Sequence, residues 1–232
     1  MNLDELKFEC SKYGFDLSEG QLNQYHTYAL MLQEYNKKIN LTAIVDYEEI
    51  IEKHFYDSIL PFFKFNDFIS VCDVGAGAGF PSIPLKILMP DKHITIVETL
   101  NKRCKFLNDL VVSLQLNNVT IVNARAEDYA KDNRESYDIV TARAVANLNM
   151  LSELCIPFVK TSGYFVVLKG SQGESEYSDA KKAIELLGCK LIDMKIETLR
   201  DDSKRVNLYL KKVKKTPKLY PRHFSKIKKI PL

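Results

Sequence analysis

Residues 71–85 read VCDVGAGAGFPSIPL, and the rest of the chain is best understood outward from them. An apolar strand closes on Asp73, glycines follow at Gly75, Gly77 and Gly79, and Pro81 stands where a helix would begin, its missing N–H costing nothing there. Glycines suit a turn that a ligand approaches so closely that a Cβ would obstruct it. Such a turn lies outside the carboxyl ends of the strands of an open α/β sheet, where these folds bind ligands. The competing reading is a tight turn with a purely structural role.

Spacing separates the ligand classes. A dinucleotide fingerprint is GxGxxG with the pyrophosphate on a helix N-terminus. Here the turn reads GxGxG followed by Phe80, the pattern typical of S-adenosylmethionine methyltransferases, in which no phosphate has to be cradled. Glu98 closes the next strand about 20 residues on, where an acid can accept hydrogen bonds from ribose hydroxyls, an acid at a helix N-terminus being also a routine cap. Ala126 and Glu127 directly follow the third strand, placed to edge an adenine.

Downstream of residue 68, short apolar strands alternate with helical patterns, which argues for βαβ units and a parallel sheet. Strands are expected at 69–74, 94–98, 119–123, 138–142 and 164–168, and helices at 81–89, 101–116, 148–159 and 174–187. Segments 190–196 and 206–213 suit a terminal antiparallel hairpin. Upstream, Ser18 with Gln21 three residues on starts a helical stripe of Leu22, Tyr25, Ala29, Leu32, Tyr35 and Ile39. A second helix is expected from Asp46 to about residue 60, before Pro61. The chain thus divides into a helical region, 1–66, packed on an α/β domain, 67–232, that ends in a basic tail.

The 232 residues are 46% hydrophobic, which excludes wholesale disorder. A formal charge of +3 hides an asymmetry. Residues 204–232 hold eleven Lys or Arg and no acid, so 22 bases face 30 acids in the remainder, giving −8 for the body against +11 for the tail. A basic block marks a polyanionic partner, nucleic acid first and an anionic membrane second, or else a solvated face. Five cysteines without a CxxC pair and four histidines suggest neither a zinc cluster nor a disulfide framework. No metal is expected. With no long apolar run and no secretory pattern, a cytoplasmic protein that spans no membrane is expected.

The strings DVGAGAGFPSIPLKILMP, ETLNKRCKFL, ARAED, DIVTARAVANLNML and YPRHF, with NLTAI and KHFYDS upstream, together resemble the bacterial small-subunit ribosomal RNA methyltransferase G family, also called glucose-inhibited division protein B. The resemblance runs through nearly the whole chain. It implies a class I, Rossmann-like methyltransferase fold with a helical N-terminal appendage. It implies transfer of a methyl group from S-adenosylmethionine to N7 of one guanine in the decoding-region loop of 16S ribosomal RNA. By the same resemblance cofactor contacts fall on Gly75, Phe80, Ala126, Glu127 and Arg143, with the edge from Glu98 to Leu100 nearby, and Gly77 of the glycine turn and Glu98 are counted with the cofactor residues. The chain departs from the family at Ser82, where glycine is usual, and at Ser225 and Ile227, where glycine and proline are usual.

Guanine N7 has an in-plane lone pair and no proton, so its methylation needs no general base, and no catalytic base is assigned. The fourth strand ends in Thr141, Ala142, Arg143 and Ala144, without the NPPY or DPPY of exocyclic-amine methyltransferases and without the Pro-Cys that cytosine C5 transfer uses. Arg143 and Lys169 close strands at the ligand face, to meet cofactor carboxylate or RNA phosphate, or to pair with acids of the body. Lys53, His54, Lys169, Arg222, Lys228 and Lys229 are the candidate RNA contacts, with Lys211, Lys212, Lys214 and Lys215 beside them. Ordinary surface charge is the alternative for each, and His54 suits a core histidine equally. Tyr209, Tyr220 and Phe224 are candidates to stack on an unpaired base. The protein is expected to act as a monomer on 16S ribosomal RNA or the small subunit. A small-molecule methyltransferase, an NAD-dependent oxidoreductase and a non-catalytic RNA-binding module are the competing classes.

Overall fold

Four of the five residues of strand β1 (Ser70–Val74) are buried, as befits a strand covered on both faces. The computed structural model describes residues 1–65, 67–143 and 146–232. Asn66, where the expected domain boundary falls, and Ala144 and Val145, beyond the fourth strand, lie outside the described residues. Before β1 come α1 (Leu3–Ser11), α2 (Glu19–Ile39), α3 (Tyr47–Glu49), a π-helical run Ile50–Tyr56, α4 (Asp57–Ile59) and a 3-10 turn Leu60–Phe62. After it come α5 (Ser82–Leu88), β2 (His93–Glu98), α6 (Asn101–Ser113), β3 (Val119–Asn123), α7 (Ala126–Tyr129) and β4 (Tyr137–Arg143). The chain continues through α8 (Leu148–Cys155), a 3-10 turn Ile156–Phe158, β5 (Val159–Lys169), α9 (Gly173–Leu186), β6 (Cys189–Thr198), β7 (Lys204–Lys212) and α10 (Phe224–Lys229).

The sheet runs in the order β3-β2-β1-β4-β5-β7-β6. Strands β1 to β5 are mutually parallel, and β7 is antiparallel to both β5 and β6. All five expected parallel strands and the terminal hairpin are present. Strand order reverses at β1, so a crevice opens above the carboxyl ends of β1, β2 and β4. Alternate residues feed two cores. Val71, Ile96, Ile139 and Val166 join the cluster that includes the N-terminal helices, whereas Cys72, Val97, Val140 and Val167 join the cluster beneath α8 and α9.

Helix α2 is bound to the sheet domain by tyrosine hydroxyls that donate to its backbone. Tyr25 reaches Pro84 O at 2.8 Å and Tyr28 reaches Ala78 O at 2.6 Å, while the Gln21 amide donates to Ile87 O at 2.7 Å. Ser18 and Gln21 form the expected capping box, and Asn2 with Glu5 forms another that starts α1. Among the described residues no helix is long and apolar enough to cross a membrane.

Two expectations are corrected. The helix expected over 46–60 is broken by a π-helical run, in which the Asp57 N–H reaches Glu52 O five residues back. The helix expected over 148–159 stops at Cys155 because Pro157 forces a 3-10 turn, so β5 starts at Val159, five residues early. The basic tail past β7 folds back onto α8 and ends in α10, whose Ile227 is wholly buried.

Candidate active site

The three glycines after β1 all have positive φ, at +76° for Gly75, +62° for Gly77 and +102° for Gly79, but their surroundings differ. A Cβ on Gly77 would meet nothing within 4 Å, which leaves that face of the turn open to a ligand. A Cβ on Gly79 would stand 2.8 Å from both the Tyr28 hydroxyl and Ile83 Cγ1, so this glycine lets α2 pack. Beneath the turn, Asp73 Oδ2 accepts the Ser82 N–H at 3.2 Å and thereby starts α5, while Oδ1, wholly buried, has no partner among the described residues. Burial pushes the Asp73 carboxyl up to about 7, against the pull of Ser82 and Arg143. Thr141, paired in register with Asp73, leaves a second buried oxygen unpartnered beside it.

On one side of the turn lies a cleft of about 760 Å³, lined by Gly75, Glu98, Leu100, Ala126, Glu127 and Phe224 among others. Glu98 is 2% exposed and knits the cleft together. Its Oε1 accepts the N–H groups of Thr99 at 2.8 Å and Leu100 at 3.0 Å, and its Oε2 accepts that of Gly77 at 3.1 Å. Four residues singled out from the sequence, Gly75, Glu98, Ala126 and Glu127, therefore meet around this one cavity. S-adenosylmethionine fits what is present. The volume suits a ligand of that size, Gly77 leaves the backbone approachable, and a buried carboxylate oxygen without a partner underlies the turn.

On the other side a cleft of about 540 Å³ is lined by His54, Asp57, Arg143, Lys169, Glu176 and Arg205, among others. Arg143 is its hub. Its Nη2 donates to His54 Nδ1 at 3.0 Å, its Nη1 lies 3.3 Å from Asp57 Oδ2 and 3.2 Å from Lys53 O, and its guanidinium covers the Phe80 ring at 4.6 Å. The π-helical run explains the contact with Lys53 O, since Asp57 N–H has turned to Glu52 instead. Asp57 is bridged a second time by Arg205 Nε at 2.9 Å. Burial raises the Asp57 carboxyl, and the two guanidinium groups oppose that. With Nδ1 accepting from Arg143, the His54 proton sits on Nε2 and is donated to Thr42 Oγ1 at 2.8 Å. Burial, reinforced by Arg143, pushes His54 down to about 3, so the ring is neutral. Phe80, 4% exposed, packs its ring against His54 at 4.3 Å and Tyr28 at 5.5 Å.

Most of the candidate RNA contacts are engaged within the fold. His54 belongs to the Arg143 cluster. Lys169 is buried and donates to Ala146 O at 2.7 Å and to Glu176 at 2.8 Å. Arg222 is clamped to wholly buried Glu153, Nε to Oε1 at 2.7 Å. Lys53 is held by Glu49 at 2.6 Å and Asp201 at 2.9 Å. Lys212 is wholly buried against Ile156 O, and burial lowers its amine to about 8. Lys228 and Lys229 are exposed on α10. Asp57, Thr42 and Arg205 were missed as site residues. Asp57 and Thr42 sit inside KHFYDS and NLTAI, whose polar residues amid apolar ones were the available signal.

A family model described as rRNA small subunit methyltransferase G matches residues 21–208. The chain is 50% identical to the ribosomal RNA small subunit methyltransferase G of Lactobacillus johnsonii, over all of both chains. It is 49% identical to the protein of the same name from Staphylococcus aureus strain RF122, over all of this chain and 99% of that one. Among solved structures it is similar to M. jannaschii TYW2 in complex with AdoMet, with a TM-score of 0.54 and 18% identity over 84% of this chain and 78% of that one. It is also similar to a SAM-dependent methyltransferase from Aquifex aeolicus, with a TM-score of 0.54 and 15% identity over 78% of this chain and 98% of that one. What these two structures share with the chain is the fold.

Proposed function

Because the chain belongs to the rRNA small subunit methyltransferase G family, we propose that it transfers the methyl group of S-adenosylmethionine to N7 of one guanine in the decoding-region loop of 16S ribosomal RNA. It acts in the cytoplasm as a monomer on the small subunit or its RNA. The observation that carries this reading is the pairing of an open glycine turn with a neighbouring cleft whose titratable groups are all engaged. His54 has both ring nitrogens committed, Asp57 is held by two arginines, and Glu176 accepts from Lys169 and from Leu148 N–H. Every described titratable group lining that cleft has an ion-pair or hydrogen-bond partner. A lone-pair nucleophile such as guanine N7 asks for no base.

S-adenosylmethionine, when bound, supplies an activated methyl group and a neutral thioether leaving group. The chain's part is to hold and align. The glycine turn and Glu98, which accepts the Gly77 N–H, shape one cleft, and Gly75, Ala126 and Glu127 line the approach for the cofactor. Arg143, fixed by His54, Asp57, Lys53 O and the Phe80 ring, is the positioning cation between the glycine turn and the second cleft. Alignment of this kind supplies several kcal/mol of the barrier reduction, about 7–11 in well-oriented systems. The test is to incubate the protein and labelled cofactor with 16S ribosomal RNA and with small subunits from cells lacking this family's enzyme. Label should enter the RNA in one or both. Label in neither, or thermal protection by NAD but not by S-adenosylmethionine, would contradict the proposal.

A further inference from the structure

After β7 the chain crosses back to the cofactor cleft and is tied down along the way. Arg134 donates to Thr216 O at 2.9 Å and to Tyr220 O, and Arg222 takes both oxygens of Glu153 through its side chain while its own N–H donates to Oε1 at 2.9 Å. Ile227 is wholly buried in the cluster that holds Leu148 and Leu151, and the Asn149 amide donates to Leu232 O at 2.7 Å. Between these anchors Phe224 is only partly buried, and its ring lines the cleft that Gly75, Glu98 and Ala126 also line. Its N–H donates to Glu127 Oε1 at 3.2 Å, and the Arg125 guanidinium lies 5.7 Å from its ring centre. The loop after β3 thus holds the backbone of Phe224 and leaves one side of the ring to the cavity.

A purine needs flat apolar surfaces across its faces, and this cleft offers Leu100, Ala126, Leu154 and Phe224, of which Phe224 alone is aromatic. We propose that Phe224 is a wall of the adenine subsite, and that residues 220–232 form a strap closing that end of the cleft. The inference rests on the reading of this cleft as the S-adenosylmethionine site. It gives the Arg222–Glu153 pair a positioning role and gives the Glu127 carboxylate a purpose in holding the strap.

The test uses calorimetric affinity for S-adenosylmethionine in the full chain, with amide exchange of residues 220–232 followed with and without it. Phe224→Ala should weaken binding on the order of tenfold, the range found when an aromatic partner is removed from a stacked base. Phe224→Tyr, which keeps the ring, should stay within about threefold, and ligand should slow exchange in residues 220–232 of the unaltered protein. If Phe224→Ala binds as tightly as the unaltered protein and the strap gains no protection, the assignment of Phe224 is overturned while the cofactor reading stands. If the unaltered protein binds no S-adenosylmethionine, the cofactor reading itself falls. Should Phe224→Ala fail to fold, the tyrosine variant and the exchange of the unaltered protein still decide.

Discussion

The cleft beside β1, β2 and β3 is lined by backbone, by apolar side chains that include Leu100, Leu154 and Phe224, and by Glu98, Glu127, Arg103 and Arg125, whereas the cleft beyond Arg143 is ringed by charges closely paired with one another. Beside the first, the glycine turn leaves room for a ligand: the face at Gly77 is open. In the second, Arg143, Asp57, Arg205 and His54 satisfy each other and hold one geometry. One region is therefore built to receive and the other to position. Changes in the first should alter affinity at nearly constant stability, and changes in the second should alter rate and stability together.

The largest expected effect lies in the positioning cluster. Arg143→Ala should lower kcat/KM for RNA methylation by on the order of 10²-fold or more, since misalignment alone is that costly. Arg205 still pairs Asp57, so the variant should fold with a lowered Tm. Arg143→Lys should not restore the rate, because an ammonium cannot serve His54, Asp57 and Lys53 O from one rigid plane. Steady-state kinetics with circular dichroism checks both, and near-normal turnover in Arg143→Ala would break the distinction.

Next come the two glycines that straddle it. Gly77→Ala places a methyl in the open approach and should raise the Kd for S-adenosylmethionine about tenfold, with about 1 kcal/mol lost to its positive φ. Gly79→Ala drives a methyl into Tyr28 and Ile83 and should instead lower Tm markedly. Calorimetry and thermal melts should show opposite orderings of the two variants, and equal loss of Tm in both would contradict this.

A smaller effect tests burial against pH. His54 falls from 6.5 to about 3 on folding, so between those values the unfolded chain takes a proton that the folded one refuses, and stability drops as pH falls, by up to about 1.4 kcal/mol per unit. Asp73 rises from 3.8 to about 7, so the folded chain keeps a proton that the unfolded one has lost, and stability drops as pH rises across that window. The two oppose each other between about pH 4 and 6.5. Urea unfolding should then show a stability that rises with pH in Asp73→Asn and falls with pH in His54→Gln. Parallel curves for both variants would count against these burial costs.

The smallest effect belongs to the outer face of α10. Replacing Lys228 and Lys229 by alanine should make log affinity for single-stranded RNA fall less steeply with log salt, by about 0.7 in slope for each phosphate no longer neutralised. A slope unchanged in the double variant would remove both residues from the RNA surface.

Much of this architecture was legible because apolar periodicity and glycine spacing are local. The five parallel strands, the capping box at Ser18 and the GxGxG turn each declare themselves within a few residues. What stayed hidden was partnership over long separations. Arg205 meets Asp57 across 148 positions, and Arg222 meets Glu153 across 69, so a basic residue bound for the core looks the same in the sequence as one bound for RNA. The π-helical run was hidden for another reason: His54 and Phe55 keep a helical apolar pattern whether the turn is wide or normal. Helix α10 was masked because four of its six residues are Ser or Lys, which read as a solvated tail while Phe224 and Ile227 face inward.

The central claim is that the cleft around Arg143, whose described titratable groups all have partners, serves a nucleophile that needs no base. Its most direct test is the identity of the methylated nucleoside released by digestion of 16S ribosomal RNA after reaction with labelled S-adenosylmethionine. The account predicts that the label co-migrates with 7-methylguanosine at a single position. Label on an exocyclic amine, on cytosine C5 or on a ribose hydroxyl would contradict it.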